Sequence, residues 1–593
     1  MSSSSATLSS PSASPSASPS AAAKTTRFDH GNLVFNVDIF ILSVVAVLIL
    51  LSLPRAAIRF IHISEWTTGH LLRSVTIHVP HGVRRQSVAL TPISPAHVSR
   101  NGHNPRTPLD DARSEKSVGA TTDEDHNIPT TSRSNLIRSR SQSSAHANLL
   151  RNTSTSSGRI RRPYHNAPAH MPGWSSMFPR IAALIRYPIQ PELTVGKAFV
   201  LIAYSAVVLY AGLYNSNPLT QPLRAGFVAI SQIPVVMILG TKNNLLGMML
   251  GVGYERLNYL HRYAGVLLVL ATNVHAIGYF YSWSLAGTFA ARAKTPKMQA
   301  GMVALVASDI FVIFSTSFWR KRFYNCFIAL HVVAIVIFLV GTRLHSVQST
   351  PYILVAVAAY GLDRVLRVIK TRWTKARLSI VSEMGMTRIE VAGLNAGWRA
   401  GQHVRIRVLS RAMGWLGWTE SHPFSIVSVS KGFSEEGLVL MCKKTGTWTT
   451  KLYELARRAE YGEAGGYAQD VRVLIEGPYG GPGHMMLASF AGALIVAGGS
   501  GITFGLGAFQ ELVQKDLEGE SRLKAIELVW SVPDPAAVIP FLPVFCDLLS
   551  LRTFANLRIH VHYTRAPTTS SALKTISQLQ LPRGFSFAPG RPG

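Results

Sequence analysis

Charge is scarce in this chain. Asp, Glu, Lys and Arg together make up 15% of its 593 residues, while hydrophobic residues make up 47%. Soluble domains carry about 25% charged residues, so the balance points to a membrane protein. Acidic residues are the scarcest of all, 30 against 59 Lys and Arg, for a net charge of +29. The chain has no zinc-finger, helix-turn-helix or RNA-binding signature, and its basic residues sit largely in loops beside apolar runs. The charge is therefore read as membrane topology, and no nucleic-acid partner is expected. Only three cysteines are present, the scattered Cys326, Cys442 and Cys546, which excludes a disulfide framework and a CxxC metal site. The N-terminus also lacks a basic stretch leading into an apolar run, so a cleaved signal peptide is not expected.

What remains is ordered by hydropathy. Residues 1–33, rich in Ser, Ala and Pro at the start, are predicted to be a disordered tail. Residues 34–53 are apolar and long enough to span a bilayer. Residues 54–194 read as a basic, Ser/Arg-rich cytosolic loop, in which SRSNLIRSRSQSSAH is a candidate for phosphorylation or an inert linker and the Asn152 sequon stays unglycosylated. Six further spans are predicted within 195–370, near 195–214, 223–240, 257–281, 299–318, 323–342 and 350–369. Placing the basic loops 319–323 and 370–377 in the cytosol gives seven spans, an outside N-terminus and a cytosolic C-terminal half.

Two of these spans carry two histidines each. His261 and His275 lie 14 positions apart, as do His331 and His345. Fourteen residues return to nearly the same helical face, about 21 Å further along the axis. A lone histidine in an apolar helix is ordinarily a core residue bonded to a carbonyl. Two pairs with one spacing, in a medium where ionisable groups are costly, point instead to metal ligation. Neutral imidazole is an axial ligand for haem iron, and two such helices side by side can hold two haems. The predicted topology puts His261 and His331 nearer the cytosolic leaflet and His275 and His345 nearer the outer face.

From about residue 371 short alternating strands replace long apolar runs, which predicts a small antiparallel β-barrel over 371–485. After it, ALIVAGGSGITFGLGAFQELVQ reads as strand, Gly-rich turn and helix, and AIELVWSV and NLRIHVHYT as further strands, an α/β nucleotide-binding pattern over 486–593. The turn Gly498-Gly499-Ser500-Gly501-Ile502-Thr503 lets backbone approach a pyrophosphate at a helix N-terminus. Upstream, His422-Pro423-Phe424-Ser425 lies on a strand, Thr447-Trp448-Thr449 at a predicted helix start suited to a phosphate, and Glu476–Gly480 (EGPYG) in a turn.

In this order, and behind a haem-type membrane domain, these motifs resemble those of the fungal ferric-chelate reductases, relatives of the superoxide-generating NADPH oxidases, over about residues 195–593. The resemblance implies a six-helix membrane core plus one N-terminal span. A ferredoxin-reductase-like module would follow, made of an antiparallel FAD barrel and an α/β NAD(P)-binding domain. It implies two b-type haems (haem b), His261 pairing with His331 for the inner one and His275 with His345 for the outer one. It places His422, Pro423, Phe424 and Ser425 along the FAD, and Gly498 to Thr503 with Gly590, Arg591 and Pro592 on NADPH. The activity implied is electron transfer to ferric or cupric chelates, siderophores included, at the plasma membrane, with a vacuolar membrane as the alternative and an iron importer as a partner. A superoxide-producing oxidase is a rival; there the second helix carries its histidines one position closer, and the equal spacing here favours the metal reductase. A catalytically impaired paralogue is the other rival, because the chain ends at GRPG, short of the family's final strand and Cys-Gly motif. Two further departures are VWSVPD, which lacks the family's following Arg and leaves the 2′-phosphate to Arg565 or Arg591, and Tyr324-Asn325 where the family has Tyr-Glu.

Overall fold

The computed structural model describes residues 30–62, 65, 67–76, 167–432, 436–460, 469–565 and 571–592. Among them six helices are long and apolar enough to cross a membrane: α1 (His30–Ile61), α3 (Val195–Leu213), α4 (Leu223–Gly240), α5 (Tyr254–Leu285), α6 (Pro296–Phe314) and α7 (Tyr324–His345), with the short α2 (Pro179–Arg186) between the first two. Large apolar side chains point outward from them, among them Leu51 at 72% and Phe199 at 70% exposure, a surface suited to lipid and not to water. The seventh expected span forms as α8 (Thr350–Lys370). Its second half carries Asp363, Arg364, Arg367 and Lys370, and these charges keep it out of the set of apolar spans.

The chain divides into two compact units, Met1–Leu42 with Ile202–Ser231 and Leu267–Val347, and Ser43–Leu201 with Gln232–Val266 and Gln348–Gly593. In the first, α6 and α7 run against each other closely. A Cβ on Gly341 would lie 2.9 Å from the Ala300 carbonyl and 3.1 Å from the Ala304 methyl, the small-residue contact that draws helices together in lipid.

The second unit holds two large sheets besides the small antiparallel pair Pro188–Gln190 and Leu193–Thr194. Six antiparallel strands are ordered β4-β3-β6-β1-β2-β5: β1 (Thr371–Val381), β2 (Met386–Val391), β3 (Gln402–Val408), β4 (His422–Ser425), β5 (Leu438–Lys443) and β6 (Gln469–Gly480). An antiparallel bridge from Ile426 to Leu440 links the outer strands, so the sheet curls into a near-barrel. Its core includes Leu378, Ile389, Val404, Ile406 and Ile475, all fully buried. Helix α9 (Thr447–Glu460) packs against it. The second sheet is parallel, β7 (Gly492–Gly498), β8 (Ala525–Val532), β9 (Asn556–Tyr563) and β10 (Phe585–Pro589) in chain order, with α10 (Ile502–Leu517) after β7. Strand β10 was not foreseen; FSFAP is too short to be told from a loop by pattern.

The segment 54–194 departs from its expected reading. Helix α1 continues to Ile61 with Pro54 inside it. Beyond it, Leu72 is fully buried in the barrel core, Arg73 bridges to Ala396, and Asn395 bonds both the amide and the carbonyl of Val75, at 2.9 and 2.8 Å. Leu72 supplies the reason: it buries in the barrel core. The SRSNLIRSRSQSSAH stretch, Asn152 and residues 1–29 of the expected N-terminal tail lie outside the described residues, while residues 30–33 form the start of α1.

Candidate haem, flavin and nucleotide sites

In the first unit His275 of α5 and His345 of α7 face each other, ring centroids 6.2 Å apart and planes at 83°. Their Nδ1 atoms lie 2.8 Å from the Pro222 carbonyl and 3.0 Å from the Lys297 carbonyl. A carbonyl only accepts, so each Nδ1 is the protonated nitrogen and each lone pair sits on Nε2, the tautomer a metal requires. Two imidazoles on one metal, at metal–nitrogen bonds of about 2 Å, put their centroids about 6 Å apart, so this pair fits a bis-histidine haem.

The supporting residues were not singled out from sequence. A Cβ on Gly226 would lie 2.6 Å from His275 Nδ1, and one on Gly301 would lie 2.5 Å from His345 Nδ1. Each ring therefore sits where a neighbouring helix offers only backbone. His331, also in the first unit, packs edge-on against Phe311 and has its Nδ1 3.1 Å from Ser315 Oγ. Ser315 donates its hydroxyl proton to the Phe311 carbonyl, so it accepts from His331 and again leaves the lone pair on Nε2. In the second unit His261 repeats the pattern, with Nδ1 2.9 Å from the Val236 carbonyl and Gly240 alongside. Gly226 and Gly240 are spaced by 14 like His275 and His261, and so are Gly301 and Ser315 opposite His345 and His331. The spacing was readable in these helices too, once small residues are counted as ring seats.

In the barrel, β4 presents His422, Pro423, Phe424 and Ser425, with Pro423 the most exposed. The ring of Trp448 lies 4.3 Å from His422 and 6.0 Å from Phe424, which joins the two flavin-type segments. Trp448 itself is buried, its Nε1 donating to the Gly417 carbonyl at 3.0 Å. Thr449 Oγ1 accepts from the amides of Thr445 and Gly446 at 3.0 and 2.9 Å. Trp448 and Thr449 thus shape the turn at the start of α9, with Thr447 at its first position.

The EGPYG end of β6 anchors a half-buried charge cluster. Arg367 grips Glu476 through two 2.8 Å bonds, Tyr479 donates to it at 2.8 Å, and Lys242 Nζ lies 3.9 Å away. Burial pushes the Glu476 carboxyl up, but Arg367 and Lys242 outweigh it and hold it below the usual range. Burial, with Arg405 and Arg367, pulls Lys242 down to about 7 against the opposing pull of Glu476. Next to this cluster His403 contacts Tyr254 and Glu255, both at 3.3 Å.

The nucleotide motif forms as expected in place, strand β7 then turn then α10. A Cβ at Gly498 or Gly499 would meet nothing within 4 Å, and Gly499 has φ +50°. The turn is therefore an open backbone cradle, held by Trp530 Nε1 donating to the Gly499 carbonyl at 2.9 Å and by Thr503 Oγ1 donating to the Ser500 carbonyl at 3.0 Å. Backbone N–H groups at a helix start suit a pyrophosphate. Ile502 is fully buried and serves packing. At the same C-terminal edge of the sheet the Gly590 amide donates to the Tyr563 carbonyl, with Arg591 and Pro592 following, and the Arg565 amide donates to the Pro533 carbonyl, both at 2.9 Å. Arg565 is thus placed beside the position where VWSVPD lacks an arginine.

Comparison with known proteins matches these parts in order. Residues 225–342 match the ferric reductase like transmembrane component, 371–483 an FAD-binding domain, and 490–586 the ferric reductase NAD binding domain. The probable cell surface ferric reductase kap2 of Aspergillus oryzae is 27% identical over 419 residues, 63% of this chain and 54% of that protein. Ferric/cupric reductase transmembrane component 2 of Saccharomyces cerevisiae is 30% identical over 288 residues, 47% of this chain and 38% of its own length. Component 1 of Candida albicans is 29% identical over 316 residues, 52% and 39% respectively. The chain thus spans about half or less of the length of these relatives. Fold and site together define a multi-pass membrane flavoprotein with a nicotinamide-nucleotide module. In that order these are the domains matched by the fungal ferric reductases to which the chain is similar.

Proposed function

We propose that this protein reduces ferric or cupric chelates on the outer side of the plasma membrane with electrons drawn from cytosolic NADPH, in support of iron uptake. The observation that carries the reading is the facing pair His275 and His345, each locked in the ligating tautomer and seated against a glycine. His275 with His345 would hold the outer haem b, and His261 with His331 the inner one. When bound, the nicotinamide supplies a hydride, FAD splits it into single electrons, and the haems relay these across the bilayer.

The chain's own residues hold and orient. The Gly498–Thr503 turn and the α10 N-terminus receive the nucleotide's pyrophosphate, and Arg565 and Arg591 neutralise its 2′-phosphate. The strand His422–Ser425, backed by Trp448, lines the flavin. Glu476, fixed by Arg367, keeps Lys242 beside the EGPYG turn. Two histidine ligands leave no open position on iron, so the chelate need only reach the outer surface. An importer taking up the released ferrous ion is the partner this chemistry calls for.

A reduced-minus-oxidised spectrum of the purified chain tests the assignment. Two b-type haems are expected, and His275→Ala or His345→Ala removes one while FAD stays bound. Retention of both haems in either variant sinks the assignment.

A further inference from the structure

A cavity of about 240 Å³ opens in the second unit where the last turns of α1 meet Trp174, α2 and the loop after β6. Its walls are largely apolar, with Ile58, Met485, Met486 and Phe490, and two arginines, Arg55 and Arg186, line it. No Asp or Glu lines it, and neither arginine has an ion-pair partner among the described residues. Arg55 reaches the cavity across Gly173, where a Cβ would fall 2.7 Å from its Nη2. Beside it α2 carries Ile181, Leu184 and Ile185 at 52%, 62% and 36% exposure, the i, i+3, i+4 stripe of a helix lying in a membrane interface. Trp174 is exposed at its rim, the amphipathic residue of that depth.

We propose that this cavity binds the phosphate headgroup of an anionic phospholipid of the cytosolic leaflet, with Arg55 and Arg186 on the phosphate and an acyl chain along the apolar side of α2. The cation pair, the apolar wall and the lipid-facing helix beside it are the three features that select a lipid over a soluble phosphate. The far wall belongs to the electron-supply module. His170 Nδ1 lies 3.2 Å from Ser489 Oγ, and the neighbouring loop is pinned by Arg399 donating to the Gly483 and Met485 carbonyls at 2.7 and 2.8 Å. Headgroup binding therefore braces the connection between barrel and nucleotide domain against the end of α1.

The test reads binding and does not depend on the activity proposed above. The full chain is placed in nanodiscs of phosphatidylcholine, alone or with phosphatidylserine, and lipid retained on extraction is counted by native mass spectrometry. The expected result is selective retention of phosphatidylserine. Its apparent affinity falls about fivefold in Arg186→Gln and about thirtyfold in Arg55→Gln/Arg186→Gln, at about one surface cation's worth each, with the haem spectrum unchanged. Arg186 lies on an exposed helix, so the single variant remains informative if the double variant misfolds. Equal retention in wild type and Arg186→Gln overturns the proposal. So does displacement of the lipid by glycerol 3-phosphate or by a phosphoserine peptide at matched concentration, which would make the cavity a soluble-anion or phosphopeptide site.

Discussion

Gly301 lies directly against His345. A Cβ at position 301 would come 2.5 Å from the imidazole Nδ1, closer than such contacts occur. The glycine is the seat that lets the ring stand between its Lys297 carbonyl anchor and His275. Gly301→Val is therefore expected to displace His345 and halve the haem content, measured as haem per protein, while FAD content stays at the wild-type level. The variant would lower ferric reduction roughly ten- to a hundredfold, the range for losing a ligand's support.

Glu65 ties the segment after α1 to both soluble domains. It pairs with Arg399 of the barrel at 3.1 Å and makes a close ion contact with Lys515 of α10. Glu65 and Arg399 are only 4% exposed. Burial raises the Glu65 carboxyl, but Arg399 and Lys515 pull harder and leave it below the usual range. Glu65→Ala leaves Arg399 without its counter-charge and Lys515 with only Glu511 at 4.0 Å, which costs roughly 3–5 kcal/mol. Thermal unfolding followed by flavin release is expected to shift down by several degrees, and a double Glu65→Leu/Arg399→Met variant to recover part of it.

His403 gives the soluble module a defined acid sensitivity. Burial, aided by Arg405 and Lys242, lowers it to about 4 from 6.5. It is neutral at pH 7, so its 3.3 Å contact with Glu255 is not an ion pair there. Between pH 6.5 and 4 the unfolded chain binds a proton there that the folded chain does not, so stability rises with pH across that window and is lost as pH falls through it. The loss is on the order of 2 kcal/mol at the acid end. His403→Asn should flatten the dependence of unfolding temperature on pH over the same interval.

On the proposed reading Arg565, with Arg591, sets the preference for NADPH. Its amide is bonded to the Pro533 carbonyl at the end of the VWSVP strand, which puts an exposed cation at the C-terminal edge of the sheet, where such folds bind dinucleotides. Arg565→Gln should cut kcat/KM for NADPH roughly tenfold or more, the worth of a charge-assisted bond to phosphate, and leave NADH use unchanged.

Much of this was legible in the residues. The four histidines, the strand carrying His422–Ser425 and the Gly498–Thr503 turn announce themselves because each needs a residue type at a fixed spacing. The ring seats Gly226, Gly240, Gly301 and Ser315 follow the same spacing, but a glycine or serine in an apolar helix has many uses and only the fold shows which one applies. Trp448 illustrates the reverse: its motif placed it on the cofactor, while its bulk buries it beneath His422. The Leu72 and Glu65 contacts were hidden because they join positions more than 300 residues apart in the chain, where periodicity carries no information.

The proposed function requires electrons to cross the membrane from nucleotide to chelated metal. The most direct measurement uses sealed proteoliposomes with an impermeant ferric chelate and a ferrous indicator trapped inside, and NADPH added outside. The predicted result is internal ferrous iron formed in step with NADPH oxidation, absent in His275→Ala and undiminished by superoxide dismutase in the lumen. NADPH oxidation matched by superoxide, with no ferrous iron formed, would contradict the account.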